Sequence, residues 1–569
     1  MNIFVQCVEM VNIKNLKNNE LIVRAISFIV AINALSVIFS TLIDQKIFEH
    51  GIRISNISVS INLIAGLSLL YFARLLSRRK QTARTVILII YCLIILNNLI
   101  GYLAYEHSLR PYLIFRNLFV PMFIILGLLM TRKLFVVKSD IKSFASSLQF
   151  IFLLILLTFI YGVLGFMLMD LRDFHQEINF IGAAKNTIDQ FGLVGQNYIP
   201  YTARARLFVD SLSVVSTFAI FLSLTSLFRP IKSLLIDQNK NRQIMHQLLI
   251  NYPASSEDYF KLWPHDKDYF INDTQNAGIA YKAHNRHALV IADPSGDSRE
   301  FPKLIKSFDE LCYVNDWSPV YIHVDDTNLD LYKSSGLQKQ KLGEEAIVDI
   351  DHFQKNLLGT KYFRNIVKRF NKSNYSYELL TPPHSGVVIN SLKNISKEWL
   401  DLPGRSERGL IMGYFSYAYM QQCNILVAKN ENNEIVGFIN QVPSYDIEEG
   451  NYDLLRHSKK SIGNINDFLM VSFINECRKQ GYKRVNLGLC PLSGIDTENN
   501  EESQTLNKLF RFMFKNGDKL YSFSGLRKFK SKYEPEWSPR YVCYRGGVID
   551  FTKALSSLNR SWKVHSKKN

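Results

Sequence analysis

Asp453 and Arg456 sit three residues apart in the run Tyr452-Asp453-Leu454-Leu455-Arg456-His457, a carboxylate and a guanidinium that acid–base or anion-binding chemistry would want in one cleft. The run reads as a strand, whose two-residue period sends positions three apart to opposite faces, so the pair shares a cleft only if the strand bulges. Glu344 and Glu345 follow Gly343 at what reads as a strand start, where they bind an amine or simply close a salt-bridged strand end. His457 is a lone histidine and ranks behind Asp453 as a base. Cations gather in two places. Lys355 to Lys372, which includes Arg364, holds six basic residues and no acid, and residues 508–569 hold 15 basic and 4 acidic residues, among them Arg527, Lys528 and Lys530. Two such patches suit a polyanion, although one run alone reads equally as a solvated helix face. In the C-terminal patch Tyr521, Phe523, Phe529, Tyr533, Trp537 and Tyr541 alternate with cations, a mixture that stacks on unpaired bases or packs as an aromatic core strand. Several chemistries lack their motif: there is no Walker-type glycine loop, no GxSxG elbow and no Arg/Gln-x-x-Gly-x-Gly loop. Seven scattered cysteines without a CxxC pair argue against a disulfide framework and a structural zinc site.

The elements that must position these residues are α/β. Short β-rich runs at 278–283, 287–292, 320–324 and 346–350 alternate with helical patterns at 300–315 and 361–372, and a Pro-Pro junction follows at 381–386. The style then repeats: 425–429 and 435–442 flank Asn432-Asn433 as a hairpin, 452–456 is the next strand, and 467–480 is an amphipathic helix ended by Gly481 before 484–487. Two similar units are expected, 251–385 and 386–569.

The first part of the chain is of another kind. Six windows, roughly 22–43, 54–76, 85–105, 111–131, 148–169 and 206–228, are long and apolar enough to cross a bilayer as helices. Basic residues crowd alternate connections (Arg74, Arg78, Arg79, Lys80 and Arg84; then Arg132, Lys133, Lys138 and Lys142), so positive-inside bias puts both termini in the cytoplasm. The expected architecture is an α-helical polytopic membrane domain of about six spans (1–228), a juxtamembrane linker helix (229–250) and the α/β part. Arg116 and Asp210 lie at similar depth in their spans, as a site pair or as side chains reaching the interface. The connection 170–205 carries no readable motif.

Several stretches in order resemble the catalytic domain of the phosphatidylglycerol lysyltransferases, the lysyl- and alanyl-phosphatidylglycerol synthases also called multiple peptide resistance factors. They are Ala292-Asp293-Pro294, Lys341 to Ala346, Arg364 with Asn371, Trp399-Leu400, Gly409 with Met412-Gly413, Asp453 to Arg456, Leu487-Gly488 with Pro491-Leu492, and Gly525-Leu526-Arg527 through Lys530 to Pro535, Trp537 and Tyr541. The resemblance implies a tandem GNAT-like (acetyltransferase-like) fold in the bacterial cytoplasmic membrane, with aminoacyl-tRNA as donor and phosphatidylglycerol as acceptor. It implies transesterification without metal, cofactor or protein nucleophile. Asp453 would then be proton acceptor or amine anchor, with Glu344 and His457 as further catalytic candidates. Arg456, Glu345, Arg364, Arg527, Lys528 and Lys530 would bind substrate, the cations taking tRNA or lipid phosphate. Typical members carry more spans, including a flippase module, so a separate flippase is expected here. The same reading leaves open alanyl or another aminoacyl group, a peptidoglycan-precursor acceptor, or a non-catalytic lipid-binding protein.

Overall fold

The computed structural model describes residues 13–47, 56–104, 118–135, 137, 144–169, 171–192, 199–226, 238–402, 405–445, 448–494 and 523–562. The chain divides into two units, Met1–Leu234 with Val314–Asp316, and Leu235–Tyr313 with Trp317–Asn569.

The first unit is helical: α1 (Ile13–Ile47), α2 (Asn56–Leu76), α3 (Gln81–Ala104), α4 (Val120–Met130), α5 (Phe144–Met167), α6 (Leu171–Phe174), α7 (Phe180–Gly192) and α8 (Ala203–Ser226). Val30, Ala34, Leu69, Leu76, Ile87, Tyr91 and Leu128 form one core, and Phe166, Ala183, Ala205 and Leu212 another. Side chains facing away from these cores are also apolar: Phe28, Phe152 and Leu207 are each about two-thirds exposed or more. A water-soluble bundle would put polar residues there. Among the described residues two stretches, Leu21–Phe39 and Ala203–Ser223, are long and apolar enough to cross a membrane, and four shorter apolar helices accompany them. Gly165 lets α5 and α8 approach, since a Cβ there would lie 1.9 Å from the Phe208 ring. The described residues of the connection without a motif include α6 and α7, and Asp173 is buried, hydrogen-bonded by the Thr202 hydroxyl, with its carbonyl accepting from Tyr201 N–H. Arg116 lies outside the described residues, and Asp210 is exposed on α8.

The second unit is built on one mixed sheet of twelve strands: β1 (Asp268–Ile271), β2 (Ala277–His284), β3 (His287–Ile291), β4 (Ser295–Gly296), β5 (Ser318–Asp325), β6 (Gln338–Asp349), β7 (Ser376–Leu380), β8 (Asn424–Lys429), β9 (Ile435–Gln441), β10 (Glu449–His457), β11 (Arg484–Pro491) and β12 (Glu536–Tyr544). The order is β1-β2-β3-β5-β12-β6-β11-β10-β9-β8-β7, with β4 beside β2. Each lobe contains one parallel pair, β3–β5 and β10–β11. The lobes exchange their last strands: β6, which ends the first series, pairs with β11 of the second, and β12, which ends the second, pairs with β5 of the first. The sheet therefore runs through the boundary expected at residue 385 without a break.

Helices cover both faces. These are α9 (Gln238–Asn251), α10 (Phe301–Val314), α11 (Leu329–Ser334), α12 (Lys361–Lys372), α13 (Gly386–Leu400), α14 (Tyr417–Met420), α15 (Ile465–Lys479), α16 (Phe523–Ser531) and α17 (Val548–Trp562). Alternation along β8 defines the two sides of the second lobe. Leu426 and Ala428 pack with Phe363, Ile366 and Phe370 of α12 and Phe468 and Leu469 of α15, whereas Ile425 and Val427 pack with Leu392 of α13, Tyr419 of α14 and Trp263. The Phe370 and Phe468 rings stack at 4.3 Å, and each buried phenyl contributes about 2–3 kcal/mol by leaving water. In the first lobe α10 and α17 cover opposite faces in the same way.

Candidate active site

The parallel strands β10 and β11 pair over Glu449–Arg484, Gly450–Val485 and Asn451–Asn486 and then separate, β10 following β9 and β11 following β6. Each strand is irregular where the fork opens, β10 between Tyr452 and Leu455 and β11 between Asn486 and Leu489. On β10 three steps face two on β9, so one residue is extra. Leu454 N–H, which the bulge takes out of the ladder, donates to the buried Asn440 side chain at 2.6 Å. The bulge also resolves the spacing problem posed by Asp453 and Arg456, because it turns both toward the α13–α14 side, while Tyr452 and Leu455 face α15.

Asp453 is half-buried, and its Oδ2 accepts from the Tyr419 hydroxyl at 3.0 Å. Burial pushes its carboxyl up to about 7, against the opposing pull of the Tyr419 hydroxyl, the Arg456 charge and the Gly413 N–H. Gly413 must be small: a Cβ there would fall 2.3 Å from Asp453 Oδ2. A carboxylate poised near neutrality and still reachable from outside is suited to take a proton from a hydroxyl.

Arg456 is buried and held bidentately by Glu407, at 2.8 and 2.9 Å, and also donates to the Ser396 hydroxyl. Its charge is thus already answered, and the expected contact with substrate phosphate does not follow from its position. Instead it lies on the Trp399 ring, 4.7 Å from the centroid, and the same ring carries the exposed Arg405 at 4.6 Å. Arg405 has no carboxylate partner among the described residues, so on the Trp399 ring that it shares with Arg456 it is the cation whose charge is unanswered.

After His457 the chain turns through residues 458–463. Glu398 of α13 accepts from Ser458 Oγ at 2.7 Å and Lys459 N–H at 3.0 Å, and these bonds hold its carboxyl below the usual range. A carboxylate of the chain thus takes the Lys459 amide, which is not open to an anion. His457 is tied into this turn through Ser461 and faces away from Asp453.

The other expected residues divide. Glu344 and Glu345 lie within β6 and not at its start, because β6 begins at Gln338 and pairs with β12 from there to Ile347. Glu344 is engaged by Lys341 at 2.9 Å, by Ser493 and by Arg527, and Arg527 stacks on Trp537 at 4.1 Å. Glu345 is fully buried between Arg540, at 2.7 Å, and His323, at 3.0 Å. His323, with φ of 73°, is itself the extra residue of β5 where one step on β12, Tyr541 to Val542, faces two on β5. Burial opposes its charge, but the carboxylates of Glu257 and Glu345 outweigh burial and raise it. Lys530 is turned inward, 3% exposed, and donates to the carbonyls of Gly488 and Leu489 at the β11 irregularity. It caps the fork and is not a surface phosphate contact. Lys528 and Arg364 are exposed, on α16 and α12. Of the tail aromatics, Tyr533 and Tyr541 are core, while Tyr521 lies outside the described residues.

Tyr419, Glu407, Asn440 and His323 carry no sequence signal of their own, and Arg540 reads only as one cation of the basic, aromatic C-terminal patch. They are separated from the residues they hold by 14 to more than 200 positions, and of the groups around Asp453 itself Gly413 belongs to a stretch that the sequence marks.

One parallel pair in each lobe and the exchanged last strands define a tandem fold of the GNAT-like (acetyltransferase-like) kind. The family model described as "Phosphatidylglycerol lysyltransferase, C-terminal" matches residues 247–544, and the chain belongs to that family. Phosphatidylglycerol lysyltransferases of Staphylococcus aureus (strain MRSA252) and Staphylococcus haemolyticus (strain JCSC1435) are each 33% identical over 280 residues, 49% of this chain. The chain spans about a third, 33%, of the length of these relatives. The solved structure of L-PGS from Bacillus licheniformis is similar at a TM-score of 0.50 and 32% identity, covering 57% of this chain and 97% of that one. A C-terminal domain (DUF2156) from Agrobacterium fabrum, at 24% identity and a TM-score of 0.51 over 58% of this chain and 99% of that one, shares the fold.

Proposed function

We propose that this chain transfers an aminoacyl group, lysyl in the first place, from aminoacyl-tRNA to phosphatidylglycerol at the inner leaflet of the bacterial cytoplasmic membrane. The observation that carries the reading is Asp453, a carboxyl raised to about 7 at the mouth of the β10–β11 fork in a member of this family. In the reaction a glycerol hydroxyl of the lipid attacks the ester carbonyl of the donor. Asp453 takes the hydroxyl proton, the acyl–oxygen bond to the tRNA ribose breaks, and the ribose oxygen leaves with a proton. Tyr419 and Gly413 hold the Asp453 carboxylate in place, and Arg405 attracts the lipid phosphodiester. The donor ester is already activated, so positioning supplies most of the acceleration.

The helices of residues 1–228 act as about six spans that leave the α/β unit in the cytoplasm, beside its lipid. The product replaces an anionic headgroup by one carrying added amine, which lowers membrane negative charge and resists cationic antimicrobial peptides; its transfer to the outer leaflet falls to a separate flippase. The test is lipid synthesis by the purified chain with phosphatidylglycerol and charged tRNA: a ninhydrin-positive phospholipid forms, and ribonuclease pretreatment abolishes it. Equal synthesis from acetyl-CoA, or from free amino acid with ATP, would overturn the reading.

A further inference from the structure

We infer that the exposed basic face of α12, continued by the Lys459–Lys460 turn, is the docking surface for the phosphate backbone of the donor RNA; the inference rests on the tRNA-dependent reading above. Phe363, Ile366 and Phe370 anchor α12 in the core, and Lys361, Arg364, Lys368, Arg369 and Lys372 all face outward. None of the five has a carboxylate partner among the described residues, whereas nearby lysines do: Lys355 with Asp351, Lys479 with Glu476, Lys483 with Glu448. The helix also has no acid in its first turn, and Arg364, Lys368 and Lys372 repel one another at four-residue spacing. A face left this unfavourable by its own charges is relieved by a polyanion.

The patch reaches the turn that follows β10. Arg369 reaches toward Gly463, its guanidinium 3.8 Å from where a Cβ would stand, and Lys459 and Lys460 are exposed at the start of the same turn. Because Glu398 already takes the turn's amide, phosphate must be met by these side chains. Lys459 lies six residues beyond Asp453, about 20 Å along an extended strand. An unpaired 3′ end can cover that reach while its duplex stem lies on α12, itself about 18 Å long.

RNA suits the face better than a lipid surface. Interfacial helices turn apolar side chains outward, and those of α12 are committed to the core apart from Tyr362 at its first turn. The face also lies across the sheet from α14 and Trp263, the side on which α9 packs, and α9 is the element through which the chain enters this unit.

The test compares the full chain with Lys368→Gln/Arg369→Gln/Lys372→Gln in mixed micelles containing phosphatidylglycerol. The KM for aminoacyl-tRNA should rise about 10-fold or more with turnover within about twofold, and the salt dependence of tRNA binding should fall by about 0.7–0.9 in slope for each phosphate no longer neutralised. An aminoacylated 3′-terminal trinucleotide, too short to reach α12, should react equally with both proteins. Lys459→Gln/Lys460→Gln, on a turn held by other groups, should show the same KM effect at an unchanged unfolding temperature. Unchanged KM and salt slope would overturn the inference, as would equal loss with the trinucleotide. So would loss of binding to phosphatidylglycerol vesicles with tRNA use intact, which would make the face a membrane surface. If the unaltered chain does not use aminoacyl-tRNA at all, the functional reading fails by itself, and filter binding of uncharged tRNA to the two proteins still decides the surface.

Discussion

As the proton acceptor proposed above, Asp453 would be worth more to chemistry than to stability. Its folded pKa, about 7, lies above the ordinary 3.8, so the folded state binds its proton more tightly than the unfolded chain. For such an acid the native state is favoured fully only below pH 4, stability declines between about 4 and 7, and above 7 the burial of the charge is a constant penalty. Asp453→Asn keeps the volume and removes the charge, so at pH 8 it should raise stability by about 1–3 kcal/mol, as read from urea denaturation, and leave it little changed at pH 4. The same variant should lose about 100-fold or more in turnover, and the rise in wild-type rate with pH through about 7 should vanish with it. A variant that is both less stable and fully active would place the proton acceptor elsewhere.

At the scale of elements the site depends on two irregular strands, and this is where sequence reading stops. The period of two assigns Asp453 and Arg456 to opposite faces, with a bulge as the only escape; the bulge exists, but the residue that stabilises it, Asn440, stands on another strand with nothing local to mark it. Helices such as α12 and α15 and the β8–β9 hairpin are legible because their patterns are local. β12 is not, since its alternation of aromatic and basic residues fits base stacking as well as a core strand, and only the sheet decides between them. Lys530 is the sharpest instance. As one cation of a basic run it reads as a surface group, yet its ammonium closes two carbonyls at the β11 irregularity, and burial lowers its pKa. Lys530→Met should leave those carbonyls without a donor and destabilise the protein by about 1–3 kcal/mol, measured as a fall in unfolding temperature, with tRNA affinity unchanged. Weaker tRNA binding at unchanged stability would return the residue to the surface role.

For the α/β unit as a whole the exchange of β6 and β12 matters most. β12 pairs with β6 at nine positions and with β5 at five, and Arg540 on β12 links Glu345 of β6 to Asp325 of β5 across the seam. Residues 251–385 alone would lack β12 and leave β5 with an open edge, and residues 386–569 alone would lack β6 and leave the fork strand β11 with an open edge. Each half would also lose a charge partner across the seam, Glu345 keeping His323 alone and Arg540 keeping neither of its carboxylates, and unpaired buried charge costs several kcal/mol. Neither fragment should therefore fold by itself, as judged by amide dispersion in NMR spectra, whereas the two mixed together should regain the native spectrum. A fragment of residues 238–569 should unfold by heat in one transition, with the same midpoint by near- and far-ultraviolet circular dichroism. Two separable transitions, or a well-dispersed spectrum from residues 386–569 alone, would mean that the lobes are independent and that the exchanged strands are a late addition to halves already folded. If instead the lobes fold only together, the fork, the buried Glu345–Arg540 pair and the Asp453 pocket form as one cooperative body. Damage at the seam should then abolish the proposed transfer through loss of the folded Asp453 pocket.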